Sequence, residues 1–204
     1  MAAGGNQTLS NPTIPDGFEI VHVGADDPHR VAAVARLFAA YTDSLSIDLA
    51  YQNYAAELAG LPGKYGPPDG VLLLLMRNRS RSTLDDTEAK EGHEREGGRP
   101  QKPRKRRRAE IKRLYVDPAA RGHGLGGALF AAVLAEARAK GYDEVVLDTL
   151  AHMAEARRMY EREGFRTLGE PYYEVAGGGG SVDGGGEGKL QRYPEGMVFY
   201  RLEL

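Results

Sequence analysis

The sequence contains neither cysteine nor tryptophan. Without cysteine, the chain has no disulfide framework, no cysteine nucleophile and no zinc site that depends on thiolates. The longest aliphatic run, residues 71–76, is far shorter than the roughly 20 residues that a helix needs to cross a membrane. The first residues also lack the basic start and apolar stretch of a secretory signal. These absences predict a cytoplasmic protein that makes no contact with a membrane.

Neither sign of charge is in excess. Lys and Arg number 27 and Asp and Glu number 29, which gives a net charge of −2. This balance argues against a protein that binds nucleic acid with its whole surface. The five histidines show no metal-ligand spacing and the HExxH motif does not occur, so we expect no metal. The length of 204 residues fits one domain with tails and insertions.

Three segments have little apolar content and are expected to be disordered. They are the polar tail 1–16, the charged insertion at about 78–108 and the glycine-rich loop at about 176–189. Residues 17–204 would therefore form one domain that is interrupted twice. The basic run 102–108 resembles a short nuclear localisation signal and permits a nuclear location, or a nuclear or nucleic-acid-associated module, as an alternative.

Hydrophobic periodicity predicts a mixed α/β fold. Asp27 and Pro28 predict the start of a helix, as N-cap and first helical residue. A second helix is expected over 48–59, and two more from Leu125 and from Ala154. The expected strands cover residues 18–23, 71–76, 111–116, 144–150 and 197–202.

A glycine-rich turn separates the strand expected over 111–116 from the helix that starts at Leu125. A helix N-terminus offers unpaired N–H groups and a positive dipole end, and glycines let a phosphate approach the backbone closely. The turn is not a P-loop, because Gly127 is followed by Ala128 rather than Lys. The surrounding order of elements also does not fit a dinucleotide-binding βαβ unit. The sequence therefore predicts an anion site of another kind.

Arg121, Gly124 and Gly126 resemble the Arg/Gln-x-x-Gly-x-Gly/Ala core of the GNAT acetyltransferases. The stretch that contains Ala156, Tyr160, Gly164 and Phe165 is similar to the family's A-x-x-x-Y-x-x-x-G-F helix end. Residues 41–65 resemble an uncharacterised bacterial and fungal subgroup. The resemblance implies the GNAT acyl-CoA N-acyltransferase fold, an α+β mixed sheet, with the usual third strand replaced by the charged insertion.

The resemblance implies acetyl-CoA as cosubstrate and a primary amine as acceptor. The strand before the turn and the strand after its helix would diverge to admit the pantetheine arm, and the pyrophosphate would lie on the turn. The cofactor-binding residues implied are Leu114, Tyr115, Val116, Arg121, Gly122, His123, Gly124, Leu125, Gly126 and Gly127. A catalytically silent CoA-binding protein remains an alternative, and the chain is expected to be a monomer or a homodimer.

The resemblance also implies catalytic residues. Tyr160 matches the family's general acid, although a core tyrosine would have the same helical spacing. Glu110 is the candidate general base, unless it only pairs with neighbouring arginines. Asp148 is the alternative base or amine-binding carboxylate. Tyr41, Ser44 and Asp48 are candidate acceptor-binding residues.

The sequence departs from the family between residues 76 and 110, where no apolar alternation provides the expected middle strand. Removing a middle strand leaves two edges with unpaired backbone groups. Either residues 105–109 supply a substitute strand, or the sheet has a gap at this place.

Overall fold

The computed structural model describes residues 13–78, 105–173 and 193–204. Residues 1–12, 79–104 and 174–192, which contain most of the three low-complexity segments, lie outside the described residues. The strands are β1 (Phe18–His22), β2 (Leu73–Arg77), β3 (Arg108–Glu110), β4 (Glu144–Leu150), β5 (Arg166–Leu168) and β6 (Met197–Glu203). The helices are α1 (Pro28–Asp43), α2 (Tyr54–Ala59), α3 (Leu125–Ala139) and α4 (Ala154–Arg162), with short 3₁₀ turns at Leu49–Gln52, Gly63–Tyr65 and Pro118–Ala120. The mixed α/β prediction is confirmed.

The strands form two separate sheets. β1 and β2 pair antiparallel, with Ile20 opposite Leu75. The other sheet has the order β3-β4-β6-β5. Within it, β3 runs parallel to β4, and β4 pairs antiparallel with β6 along its full length. Of the helices that the structure describes, none is long and apolar enough to span a bilayer.

Two apolar clusters hold the fold together. The larger lies where α3 and α4 pack on β4 and β6, and its centre is made of Phe130, Val145, Leu147 and Tyr200, each at most 2% exposed. The smaller packs α1 against the β1–β2 pair. Burial of such side chains contributes about 1.5–3 kcal/mol each, so each sheet is stabilised by its own helices.

Capping residues fix the ends of α1 and α3. The Asp27 carboxylate accepts a hydrogen bond from the Arg30 amide at 2.9 Å, which confirms the predicted start of α1. α3 begins after Gly124, whose φ of 73° lies in the left-handed region, and its chain reverses at Gly141 with φ 69°. Both ends agree with the sequence-based prediction.

Two predictions need correction near the second helix. The single helix expected over 48–59 is a 3₁₀ turn and then α2, because Asn53 adopts a left-handed conformation with φ 56° between them. The strand expected over 71–76 begins at Leu73 and ends at Arg77. Leu74 is its only buried residue, so this strand is less enclosed than its apolar run predicts.

The prediction of a strand over residues 111–116 was wrong in position. The strand is β3, residues 108–110, and the chain beyond it is irregular because Arg113 adopts φ 58°. The charged insertion also ends earlier than expected. The Arg107 amide donates to Asp143 at 2.6 Å and Arg108 Nε donates to Glu144 at 2.7 Å, so this part of the basic run belongs to the folded domain.

β3 does not replace the expected middle strand. It pairs with β4, and no ladder joins it or residues 111–116 to β2 within the described ranges. A cavity of about 110 Å³ lies between β2 and residues 111–115, and its walls include Phe38, Leu74 and Val133. Within the described ranges, the stretch expected as a substitute strand therefore pairs with β4 and not with β2.

Candidate active site

The candidate site is the opening between two diverging parallel segments. β3 pairs with β4 as far as the bond from the Ile111 amide to the Val146 carbonyl, at 2.9 Å. Beyond that bond the segments separate. A cavity of about 60 Å³ lies between residues 111–114 and 147–149 and is closed by Tyr41, Met153, Ala156 and Tyr160. Backbone groups of 112–116 make no ladder bonds to another strand in the described chain.

Tyr160 lies on α4 and faces this cavity. It is 7% exposed, and its ring packs 5.1 Å from the ring of Phe130. Burial raises the pKa of the Tyr160 phenol, and the nearby Tyr41 and Asp148 raise this pKa further. A raised pKa keeps the phenol protonated at neutral pH, which is the form that a proton donor needs.

Asp148 lies on β4 and borders the same cavity. Its Oδ2 accepts a hydrogen bond from the Tyr173 hydroxyl at 2.7 Å and a longer one from Gln52 Nε2 at 3.4 Å. Burial and the Asp148 charge both raise the pKa of Tyr173, so its phenol stays a donor to the carboxylate. The arrangement presents an oriented carboxylate beside aromatic rings, which can bind an ammonium group.

Glu110 is the last residue of β3 and lies at the edge of the site. Its Oε1 accepts from the Tyr172 hydroxyl at 2.8 Å and pairs with Lys112 Nζ at 2.9 Å. Lys112 Nζ also donates to Gln52 Oε1 at 3.4 Å. Glu110 does not line the small cavity that contains Asp148 and Tyr160. The structure therefore connects Glu110 to the cavity through Lys112 and Gln52.

A buried ion pair anchors residues 111–116 on the opposite side. Arg113 Nε donates to Glu57 Oε1 at 2.7 Å, and both side chains are at most 5% exposed. Glu57 also accepts from Lys64 Nζ at 2.7 Å and from the Tyr65 hydroxyl at 2.9 Å. Burial by itself would raise the pKa of Glu57, but the hydrogen bonds from Arg113 and Lys64 outweigh it and the pKa is lowered.

The glycine-rich turn lies at the N-terminus of α3, as predicted. Gly122 has φ 83° and Gly124 has φ 73°, and an added Cβ at either position meets no atom within 4 Å, so the turn is open as well as left-handed. Arg121 Nε donates to the Val116 carbonyl at 3.0 Å and thereby joins the turn to the end of the irregular segment. The amides from Gly122 to Gly127 surround the start of a 15-residue helix, which favours an anion.

The remaining predicted cofactor residues lie around this turn. Leu125 is buried, while Gly127 is open to solvent. His123 is exposed, and its Nδ1 lies 3.0 Å from the Arg121 carbonyl. The Tyr115 ring packs 5.8 Å from that of Tyr41, and an added Cβ on Gly126 would touch Val116 at 3.7 Å. The structure thus brings the turn and residues 114–116 together.

The predicted acceptor residues separate into two groups. Tyr41 lines the cavity, where burial raises the pKa of its phenol. Ser44 and Asp48 are exposed and cap local structure instead. Ser44 Oγ donates to the Tyr41 carbonyl at 2.6 Å, and the Asp48 carboxylate accepts from the Ala50 amide at 2.8 Å. Neither of these two side chains lines the cavity.

Sequence reasoning missed three residues of the site, Gln52, Tyr172 and Tyr173. Gln52 gave no signal, because it is one polar residue in a segment expected to be helical. The Tyr172–Tyr173 pair follows a proline at 171 and precedes the glycine-rich loop. Two adjacent aromatic residues beside a low-complexity segment are a signal that could have indicated a ligand-facing position.

Two further predictions bear on ligands. The described residues hold no cluster of His, Asp and Glu suited to a metal ion. In the basic run, Arg106 pairs with Glu203 at 3.4 Å, Arg107 with Asp69 at 3.1 Å and Arg108 with Glu144 at 2.7 Å. Acidic neighbours therefore partly neutralise the end of this run.

Comparisons with known proteins agree with this geometry. A model of the acetyltransferase (GNAT) family matches residues 91–165. An uncharacterized N-acetyltransferase of Schizosaccharomyces pombe is 36% identical over 133 residues, which are 65% of this chain and 74% of that protein. An acetyltransferase structure from Streptococcus agalactiae has a TM-score of 0.58 at 19% identity, over 93% of this chain and 99% of that one.

A second solved structure has a similar fold. The yncA protein of Salmonella typhimurium, solved with its cofactor acetyl-CoA, has a TM-score of 0.51 at 18% identity, over 92% of this chain and 94% of that one. The two solved structures share the fold, and the fission yeast relative is 36% identical over 74% of its length. Together with the diverging segments and the glycine-rich turn, these similarities show that the chain belongs to the GNAT family of N-acetyltransferases.

Proposed function

We propose that the chain transfers the acetyl group of acetyl-CoA to a primary amine by direct attack of the amine on the thioester. The observation that supports this reaction is the cavity between residues 111–114 and 147–149, which Tyr160 and Asp148 line together. Residues 111–114 of its lining continue along the chain to the glycine-rich turn, and the lining also includes the Asp148 carboxylate and the Tyr41 ring.

The cofactor side of the site offers two kinds of backbone contact. Backbone groups of Leu114, Tyr115 and Val116, which the described strands do not use in ladder bonds, would pair with the amide groups of the pantetheine arm. The amides from Arg121 to Gly127 would hold the pyrophosphate at the start of α3, where the helix dipole adds about half a positive charge. A backbone N–H beside the cavity would stabilise the negative charge on the thioester oxygen during attack.

The acceptor must lose a proton before it attacks. An alkylamine with a pKa near 10.4 is about 3.4 units from half-deprotonation at pH 7, which costs about 4.6 kcal/mol. We assign amine binding and proton acceptance to Asp148, because it lies in the cavity with Tyr160 while Tyr173 orients it at 2.7 Å. Glu110 would serve as a second carboxylate at the edge of the site, where Lys112 Nζ lies 2.9 Å from it and the Tyr172 hydroxyl donates to it at 2.8 Å.

The leaving group is a thiolate that needs a proton. Tyr160 is the donor in this proposal, because it faces the cavity and burial raises the pKa of its phenol. A positioned general acid typically contributes about 10²- to 10⁴-fold to the rate. Tyr41 would pack against the acceptor or the acetyl group, since its ring forms another wall of the cavity.

Calorimetric titration with acetyl-CoA tests the first half of this proposal. We expect saturable binding at one site, and we expect Gly124→Glu to abolish it. The added carboxylate repels phosphate, and φ 73° at this position strains any side chain. Gly169→Glu makes the same substitution in the bend after β5, where an added Cβ meets no atom within 4 Å, so it is the charge control and should bind acetyl-CoA normally.

An amine screen tests the second half. Released CoA thiol can be measured with a thiol reagent without background, because the protein contains no cysteine. Thiol release that depends on a primary amine, and not on the corresponding alcohol, supports the proposed reaction. Binding of acetyl-CoA without release by any amine would instead support a catalytically silent CoA-binding protein. A folded protein that does not bind acetyl-CoA would contradict the assignment of the turn.

A further inference from the structure

The Lys112 ammonium lies in surroundings suited to an amine ligand. Its side chain is 11% exposed, and Nζ contacts Glu110 at 2.9 Å and Gln52 Oε1 at 3.4 Å. Nζ also lies 5.7 Å from the centre of the Tyr173 ring, within the range of a cation–π contact. Gln52 and Tyr173 both hydrogen-bond to Asp148 as well. An amine of the chain itself therefore lies beside the carboxylate assigned to the acceptor.

Lys112 also belongs to the segment assigned to the thioester. It lines the cavity with Leu114, Asp148 and Tyr160. Of the lysines in ranges 13–78 and 105–173, no other lines this cavity. Lys64 is about half exposed and pairs with Glu57, and Lys140 Nζ donates to the Pro68 carbonyl at 3.0 Å. Within these ranges, Lys112 is therefore the lysine that borders the cavity assigned to the acetyl group.

We propose, on the basis of the function proposed above, that Lys112 is an internal acceptor and is acetylated on Nζ by acetyl-CoA bound to the same chain. The deprotonated Nζ attacks the thioester carbonyl carbon, so that a C–N bond forms and the C–S bond breaks. Tyr160 gives a proton to the departing thiolate, and Asp148 takes a proton from the nitrogen. The balance is one ammonium and one acetyl-CoA giving acetyl-lysine, CoA thiol and one proton.

This reaction would change the site. Acetylation removes the positive charge of Lys112, so the ion pair with Glu110 at 2.9 Å is lost. Glu110 would keep its hydrogen bond from Tyr172. An acetyl group on Nζ would also fill space next to Gln52 and Tyr173. The modified chain should therefore bind an external amine differently from the unmodified one.

Mass spectrometry of the full chain tests the proposal. The purified protein is incubated with acetyl-CoA and no added amine, and acetylated peptides are mapped against the protein before incubation. We expect one acetyl group, on Lys112, that forms at the same first-order rate when the protein is diluted. Acetyl groups spread over Lys64, Lys140 and other lysines, or a rate proportional to protein concentration, would overturn the proposal.

Matched variants test whether acetylation depends on the position of Lys112 or only on a positive charge. Lys112→Arg keeps the positive charge beside Glu110 and should abolish acetylation, whereas Lys64→Arg makes the same change in another lysine–glutamate pair and should leave it intact. Tyr160→Phe should slow acetylation of Lys112 by about 10²- to 10⁴-fold if the phenol is the proton donor. Equal modification of the wild type and Lys112→Arg would overturn the assignment.

The calorimetric titration separates this inference from the proposed function. Acetyl-CoA binding and amine-dependent thiol release, with Lys112 unmodified, would overturn the internal acceptor and leave the proposed function standing. A folded protein without acetyl-CoA binding would overturn both.

Discussion

The Glu57→Gln substitution should destabilise the protein far more than its small change in shape suggests. Glu57 and Arg113 side chains are at most 5% exposed and meet at 2.7 Å. Glutamine keeps the size of glutamate but removes the charge, so the Arg113 guanidinium stays buried without a counter-ion. Removing one partner of a buried ion pair costs about 3–5 kcal/mol, which is a large share of a typical total stability of about 5–15 kcal/mol.

Urea unfolding followed by far-ultraviolet circular dichroism measures this loss, and suits a chain without tryptophan. Glu136→Gln is the matched control. Glu136 pairs with His22 at 2.7 Å, but the His22 side chain is 69% exposed, so this pair should contribute only about 0–1 kcal/mol. If Glu57→Gln costs no more than Glu136→Gln, the buried pair does not anchor residues 111–116 and the reasoning is wrong.

A double replacement distinguishes the charge from the packing. Glu57→Leu with Arg113→Met removes both charges together and leaves neither one buried alone. We expect the double variant to lose less stability than the sum of the two single variants, because replacing a whole buried pair with apolar groups is often close to neutral. Simple additivity of the two single losses would contradict a direct coupling between these side chains.

Three further outcomes follow from the described contacts. The pKa of Glu57 is lowered, so the stability that its carboxylate gives the folded state is complete above pH 4.5 and is lost as the pH falls through the lower folded-state pKa. Glu57→Gln should therefore flatten the acid side of a plot of stability against pH. Phe130→Ala should cost about 3–5 kcal/mol in urea unfolding, because the ring is 1% exposed; a loss below about 1 kcal/mol would contradict its place in the core. Because burial raises the pKa of Tyr160 above 10.0, transfer to an alkylamine should accelerate as pH rises from 7 to 9, and a decline in this range would contradict Tyr160 as an acid with a raised pKa.

Local signals explain why parts of the fold could be predicted from the sequence. The Asp27–Pro28 pair sets the start of α1, because capping and a fixed proline φ depend on adjacent residues only. Gly124 and Gly141 bound α3 for the same reason, since each supplies the positive φ that the chain reversal needs. The glycine-rich turn was predicted from its local pattern, and Tyr160 from its resemblance to the family's helix-end motif.

Tertiary interactions explain the parts that could not be predicted. β3 begins in a basic stretch for which the sequence predicts disorder. Its pairing with β4 and the bond from Arg108 to Glu144 hold it in the sheet instead. Gln52 contacts Asp148 and Tyr173, which are 96 and 121 positions away along the chain. No periodicity within one segment indicates such a contact.

Among the described residues, a buried ion pair is the contact that holds residues 111–116 on the side towards α2. In a continuous sheet, a strand on the far side of residues 111–116 would hold them in place through ladder bonds. In the described chain β2 makes no such bonds to them, and the cavity of about 110 Å³ lies there instead. Arg113 lines this cavity and pairs with Glu57 on α2 at 2.7 Å. Among the described residues, this side-chain contact therefore positions the segment where ladder bonds to β2 do not.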